Sequence, residues 1–460
     1  MNHTANSRQA QQRFICSLTS ESDCQSVFNL LTCEHLFSEV EARLPDHRER
    51  LFPPTETLAM FIAQALSADR SCQYAVNQAA VHRLITGLPT CSTHTGGYCR
   101  ARQRLPTDMV VGLTRYLGQY IDGQLPGDWR WQGRRVRLVD GTTLTMPDTP
   151  QNQATYPQQR NQNPGLGFPI CRVVGITCLA SGAVLNAAVG RFNGKGGDEQ
   201  TLLRSIQDTF ESGDLIMGDA FFPTFFFIAA MQAKGVDILM EQLGARKRVT
   251  DFRRGWKLGQ RDHLITLNKP KKPDWMDHAM YDAAPDTLVV REFKAGGKII
   301  VTTLLDPKIT RKTELKMLYK QRWDVELDIR HIKETMGMNI LSCKTPAMVL
   351  KEIWVYLLAY NLIRLLMAQA ALIADTLPRE ISFKHCLQLW LIWSHKADSL
   401  DDTQLLELCA LMAQQRVGNR PGRIEPRAVK RRPKPYPLLT RPRHQAKEEI
   451  RKSGHPKKVK

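Results

Sequence analysis

The chain has 460 residues, 42% hydrophobic and 24% charged, which is ordinary soluble-protein usage with room for two or three domains and an ample core. That composition excludes a fibrous or wholly disordered chain. The formal charge of +19 is unevenly spread, because residues 416 to 460 carry 16 Lys and Arg against 3 Asp and Glu, a basic segment suited to a polyanionic partner.

In chain order, residues 1 to 125 read as a helical domain. The N-terminal stretch MNHTANSRQAQQRF has no apolar run of the kind a signal peptide needs. TETLAMFIAQAL (55 to 66) opens on Thr55 as a cap and repeats its apolar residues at helical spacing. CSTHTGGYC (91 to 99) offers no second pair of metal ligands. The eleven cysteines, among them Cys16, Cys24 and Cys33, are odd in number and scattered without a CxxC pair. They read as the reduced thiols of a cytosolic protein. In YCRARQRLP, Arg100, Arg102 and Arg104 either meet DNA phosphates or form a solvated face.

From 126 the pattern becomes α/β. RRVRLVDGTTLTM, RVVGITCLA and AVLNAAVG read as strands, and DEQTLLRSIQDTF as a helix capped by Asp198. DLIMGDAFF is a buried strand entering a Gly-Asp turn, followed by a helix over 224–234 and a strand over 236–240. Three strands, helix, strand, helix, strand describes one mixed sheet. Residues 244 to 305 interrupt it with a β-rich insertion, which closes on the Gly-Gly hairpin TLVVREFKAGGKIIVTTLL. The core resumes over 306–400, and residues 401–460 form the basic C-terminal segment. The apolar run at 353–374 contains Asn361, Arg364 and Gln369, so it reads as a buried core helix rather than a membrane span.

Two carboxylates stand where their strands place them at ligand-binding positions: Asp140, read as ending the first strand, and Asp219, ending the fourth. Each has a Gly beside it that lets backbone or ligand approach. A third, Glu326, lies in the charged helix YKQRWDVELDIRHIKET. At 100° per residue, Tyr319, Arg322, Glu326, Arg330 and Lys333 share one stripe beside the apolar stripe of Leu318, Val325, Ile329, Ile332 and Met336. A helix merely solvated would carry its charges opposite its apolar face.

Tyr319-x2-Arg322-x3-Glu326-x6-Lys333 resembles the Tyr-Arg-Glu-Lys signature of the insertion sequence 4 family of DDE transposases, and DGTT at Asp140 and GDAFF at Asp219 resemble its two Asp motifs. The resemblance covers most of residues 130 to 370. It implies a ribonuclease H-like core with a β insertion before the helix that carries the Glu. It implies double-stranded DNA as substrate, both transposon ends and target, with a hairpin intermediate and a homodimer in the DNA complex.

Asp140, Asp219 and Glu326 are assigned as the catalytic acids that ligate two Mg²⁺ ions, for which Mn²⁺ can substitute. Arg322, Arg330 and Lys333 hold backbone phosphates, with Tyr319 adding a hydrogen bond. The family's insertion carries a Trp that receives a flipped base. Trp256, among Arg253, Arg254 and Lys257, is expected to serve so, or else to fill the insertion's small core. Trp275 reads as loop packing. The function expected is cut-and-paste transposition in a bacterial cytoplasm, associated with the nucleoid and not with a membrane. A nuclease of the same fold and an inactive DNA-binding copy are the alternatives.

Overall fold

The computed structural model describes residues 43, 51–85, 87–194, 196–244, 250–394, 402–417 and 441–453. Cys16, Cys24 and Cys33, most of the first fifty residues and much of the basic segment after 417 lie outside the described residues.

The described part of the N-terminal region is helical: α1 (Pro54–Leu66), α2 (Cys72–Ile85), α3 (Gly96–Arg104) and α4 (Thr107–Gly123). Thr55 does not cap α1. The helix starts at Pro54, whose fixed φ suits a first turn and whose missing N–H costs nothing there. Arg102 departs from both expected roles: it is buried, its guanidinium 4.0 Å over the Phe61 ring and bonded to Gln64 at 3.0 Å, Cys72 at 2.9 Å and Cys343 at 3.1 Å. Arg100 and Arg104 on the same helix are exposed. The eight described cysteines are free thiols.

The sheet follows. β1 (Val136–Thr145), the short helix α5 (Pro150–Thr155), β2 (Ile170–Cys178) and β3 (Val184–Arg191) lead to α6 (Glu199–Arg204), β4 (Leu215–Gly218), α7 (Phe225–Ala233) and β5 (Asp237–Glu241). Asp198 caps α6 as expected, accepting from Thr201 N–H at 3.0 Å. The helix ends at Arg204 and yields to a 3₁₀ turn at Gln207–Thr209, so it is shorter than its sequence suggested. Next come β6 (Trp256–Gly259), β7 (Asp262–Asn268), α8 (His278–Ala283), β8 (Thr287–Ala295) and β9 (Lys298–Thr302).

Among the described residues the nine strands form one mixed sheet in the order β3-β2-β1-β4-β5-β9-β8-β7-β6. The β1–β2 and β2–β3 pairs are antiparallel, β1–β4 and β4–β5 parallel, and β9 adds antiparallel to β5. The inserted strands therefore extend the core sheet rather than forming a layer of their own.

Asp140 does not end β1. The ladder with β2 continues to Thr145↔Ile170, whereas parallel pairing with β4 stops at Leu138↔Met217. Asp140 thus sits just past the point where β1 and β4 part, and Asp219 follows the last residue of β4.

The remaining helices are α9 (Lys312–Lys320), α10 (Asp324–Arg330), α11 (Pro346–Ile373), α12 (Phe383–Ser394), α13 (Asp402–Ala413) and α14 (Arg443–Ser453). The expected single helix around Glu326 is wound three ways. A 3₁₀ turn at Gln321–Trp323 joins α9 to α10, and a π turn at His331–Thr335 follows α10. α11 is long and apolar enough to cross a membrane by composition, with a window of mean hydropathy 1.5, yet 89% of that window is buried inside the protein. It is the core helix, packed against α1, α4, α12 and α13.

Strand alternation divides the core. Val136 and Leu138 pack on one face with Met217, Phe293, Leu318, Tyr319 and Val325. Val139 packs on the other with Leu202, Phe210 and α11. Asp140 has the parity of Leu138 and lies on the α9–α10 face, while Gly141 lies on the α6 face.

Candidate active site

Where β1 and β4 diverge, each chain segment offers one carboxylate just past their last paired residues. Asp140 Oδ1 accepts the N–H of Gly141 at 2.8 Å, and Asp219 Oδ1 accepts that of Phe221 at 2.9 Å, a local turn that fixes the side chain. Burial pushes the Asp140 carboxyl up to about 6, and the negative charge of Asp219 pushes the same way. The two acids therefore share one electrostatic field.

The helix faces them. The Tyr319 hydroxyl donates to Gly218 O at 3.5 Å, tying the end of α9 to the residue before Asp219. Lys333 Nζ donates to Thr142 Oγ1 at 3.0 Å, two residues beyond Asp140 on the same face of β1. Burial lowers its ammonium from the ordinary lysine value. The π turn inserts one residue per turn at His331–Thr335. Arg330, placed on the same stripe by a uniform 100° step, is exposed instead.

Glu326 is engaged by its own helix. Arg322 Nη2 holds its Oε1 at 2.8 Å, and that bond raises the guanidinium pKa although burial opposes it. Among the described residues no three His, Cys, Asp or Glu side chains converge as a metal-holding group. The donor set nonetheless suits a hard cation: Asp140, Asp219 and Glu326 offer only carboxylate oxygens, and Asp140, raised chiefly by burial and next by the charge of Asp219, is a buried acid that a cation would stabilise in its charged form.

Sequence reasoning missed Glu199. Its carboxylate sits over Gly141 so closely that a Cβ there would lie 2.4 Å from Glu199 Cδ. Arg172 Nε stands 3.5 Å away. Burial raises the Glu199 carboxyl, and its charge adds to the field on Asp140. The Asp-Glu pair at 198–199 carried a signal, but it read only as a helix cap. The Gly beside Asp140 thus makes room for an acid from α6.

Trp256 lies at the start of edge strand β6 and is 74% exposed, so it does not fill the core of the insertion. Arg253 and Arg254 beside it are exposed too, each bridged to Asp251. Trp275 does pack: its ring meets Phe226 edge-on at 6.3 Å and lies 4.0 Å from the Arg204 guanidinium.

Acids beside the point where two parallel strands part, faced by a helix bearing Arg, Glu and Lys, stand where open α/β sheets bind ligands. The family model described as Transposase DDE domain matches residues 131–362, just over half of the chain. The chain belongs to the DDE transposases of the insertion sequence 4 family and is an insertion-sequence transposase. It is 28% identical over 350 residues to transposase InsG for insertion sequence element IS4 of Escherichia coli (strain K12), an alignment spanning 74% of this chain and 77% of that one. The cryo-EM structure of a piggyBac transposase synaptic complex with hairpin DNA superposes over 87% of both chains with a TM-score of 0.42 and 11% identity, a likeness too loose to carry any residue across.

Proposed function

We propose that the chain binds the terminal inverted repeats of its own element, nicks each end, and joins the freed 3′-hydroxyl to target DNA through hairpin ends. The observation that carries this reading is the shared field of Asp140 and Asp219 beneath the helix bearing Tyr319, Arg322, Glu326 and Lys333. The strand order, with three antiparallel strands followed by two parallel ones, supports a ribonuclease H-like core.

Asp140, Asp219 and Glu326 would hold two Mg²⁺ ions, or Mn²⁺ in their place. Such ions, when bound, activate the attacking oxygen and stabilise the leaving one. The chain's own residues do the rest. An acidic site repels DNA, so Arg322 and Lys333 offset that charge and orient the phosphate nearest the cleaved bond, while exposed Arg330 reaches a phosphate further along. A phosphate that takes Arg322 releases Glu326 from its ion pair, which couples DNA binding to completion of the acidic triad. Trp256, exposed and flanked by arginines, serves as the stacking platform for an extruded base.

The N-terminal region, residues 1–125, serves as the end-binding region, the insertion over 244–305 extends the DNA-facing sheet, and two copies act on paired ends in the cytoplasm at the nucleoid. Family membership favours this reading over a nuclease of the same fold, which needs no end recognition.

The test is Mg²⁺-dependent nicking of a duplex carrying the element's terminal sequence. Asp140→Asn, Asp219→Asn and Glu326→Gln are each expected to abolish nicking and to retain binding of that duplex. Full activity in any one variant removes that residue from the site.

A further inference from the structure

α10 presents acids on two sides. Asp324 and Asp328 lie one turn apart, and Glu326, two residues from each, points away from both. Asp328 is fully buried. Its carboxylate accepts Arg364 Nη2 at 2.5 Å, Arg379 Nη1 at 3.1 Å and Nη2 at 2.8 Å, and the Tyr360 hydroxyl at 3.1 Å. Arg379 also donates to the carbonyls of Leu179 and Cys178 at the end of β2, and lies 3.9 Å from Asp324. Arg364 donates to the Tyr360 hydroxyl at 2.7 Å. It stands against Gly182, where a Cβ would lie 2.6 Å from the guanidinium carbon and where φ is +76°. Two acids of α10 thus meet one arginine of α11 and one of the 3₁₀ turn Pro378–Glu380, a cluster of zero formal charge.

A buried cluster of this kind adds little net stability, since desolvating four charges offsets their attraction. Its directional content is high, because each guanidinium fork accepts only certain carboxylate positions. The helix needs such direction. α10 has seven residues between a 3₁₀ turn and a π turn, so the backbone ladder does not by itself set its phase. An error of one residue would turn Glu326 by about 100°.

We propose that Asp328, with Arg364 and Arg379, is a positioning residue for the transposition reaction: the buried clamp sets the rotation of α10 that places Lys333 against β1 beside Asp140 and lets Glu326 turn toward Asp140 once phosphate takes Arg322. The proposal rests on the reading of Glu326 as an acid of the active site.

The experiment uses the full-length chain, Asp328→Asn, and the triple variant Asp328→Leu/Arg364→Met/Arg379→Met. For each one measures the melting temperature, binding of the terminal duplex without divalent metal, Mn²⁺ binding to that complex by electron paramagnetic resonance of the free ion, and nicking against Mg²⁺ concentration. The triple variant, with apolar side chains of similar volume, is expected to fold and to melt closer to the wild-type temperature than Asp328→Asn, which leaves two arginines without their shared carboxylate. Both variants are expected to bind the duplex normally. They should bind Mn²⁺ about tenfold or more weakly and nick about a hundredfold more slowly at saturating Mg²⁺. A triple variant that melts, binds Mn²⁺ and nicks like wild type overturns the clamp, as does a loss in Asp328→Asn that follows only the folded fraction with Mn²⁺ affinity unchanged. Glu326→Gln, run alongside, separates the two ideas: full nicking there sinks the active-site reading itself.

Discussion

Arg322 Nη2 and Glu326 Oε1 lie 2.8 Å apart, one turn of helix from each other, in a side-chain environment only 13% and 34% exposed. The cation proposed to hold phosphate and the carboxylate proposed to hold metal neutralise one another. Adding terminal duplex should therefore tighten Mn²⁺ binding to the wild-type chain on the order of tenfold, within the usual range of coupling between two sites. Arg322→Ala should bind Mn²⁺ as well without DNA as with it, and should nick poorly because no guanidinium holds the phosphate. Equal Mn²⁺ affinity with and without DNA in the wild type would mean the ion pair gates nothing.

Asp140 supplies a stability prediction. Its carboxyl titrates at about 6 in the fold against an ordinary value of 3.8, chiefly because it is buried and secondly because Asp219 is near. Between those values the folded chain binds more protons than the unfolded one. Stability therefore falls as pH rises through this window, and the loss is complete above the folded value. Asp140→Asn removes it, so in chelator at pH 7 the variant should be more stable by about 1–3 kcal/mol. The difference should close below pH 4 or so. Urea unfolding at the two pH values measures it, and added Mg²⁺ should narrow the gap by stabilising the wild type alone.

Trp256→Ala should leave the melting temperature unchanged, because the ring is 74% exposed. Base stacking is worth roughly 1–3 kcal/mol, so the first nick should proceed normally while hairpin formation slows by about one to two orders of magnitude. Nicking and hairpin formation slowed alike would assign the side chain to DNA binding in general.

Deleting residues 416–460 should weaken binding to every DNA sequence alike and flatten the dependence of log affinity on log salt, by about 0.9 for each phosphate that the segment neutralises. An unchanged slope would mean that the basic segment does not touch DNA.

Gly118 binds the N-terminal helices to the core. A Cβ at that position in α4 would lie 2.2 Å from the carbonyl oxygen of Val184 in β3, and backbone cannot yield as a side chain can. Gly118→Ala should destabilise the chain by about 1–3 kcal/mol or more and expose residues 51–125 to limited proteolysis before the sheet. A melting temperature equal to wild type would show that α4 and β3 can part without cost.

The sequence by itself determined the elements and their chemistry. Asp140, Asp219 and Glu326 stand in motifs whose residue types suit hard cations, and the alternation around RLVDGTT and the Gly-Gly hairpin mark strands that form at those positions. Those signals are local: a period of two, a turn of two glycines, a carboxylate after an apolar run. Pairing and phase are not local. That β1 runs on past Asp140 depends on β2 staying paired with it to Thr145 after β4 has left at Leu138, and that the insertion lengthens the core sheet depends on β9 finding β5. Arg102 reads as a surface cation until Phe61, Cys72 and Cys343 close around it. Glu199 reads only as the residue after the Asp198 cap until α6 brings it across Gly141. The helix at Glu326 reads as uniform because a 3.6-residue period averages over tight and loose turns. Only its bonds to Gly218, Thr142 and the buried Arg364–Asp328–Arg379 cluster decide which way each side chain faces, since winding is set by what the helix must touch on both sides.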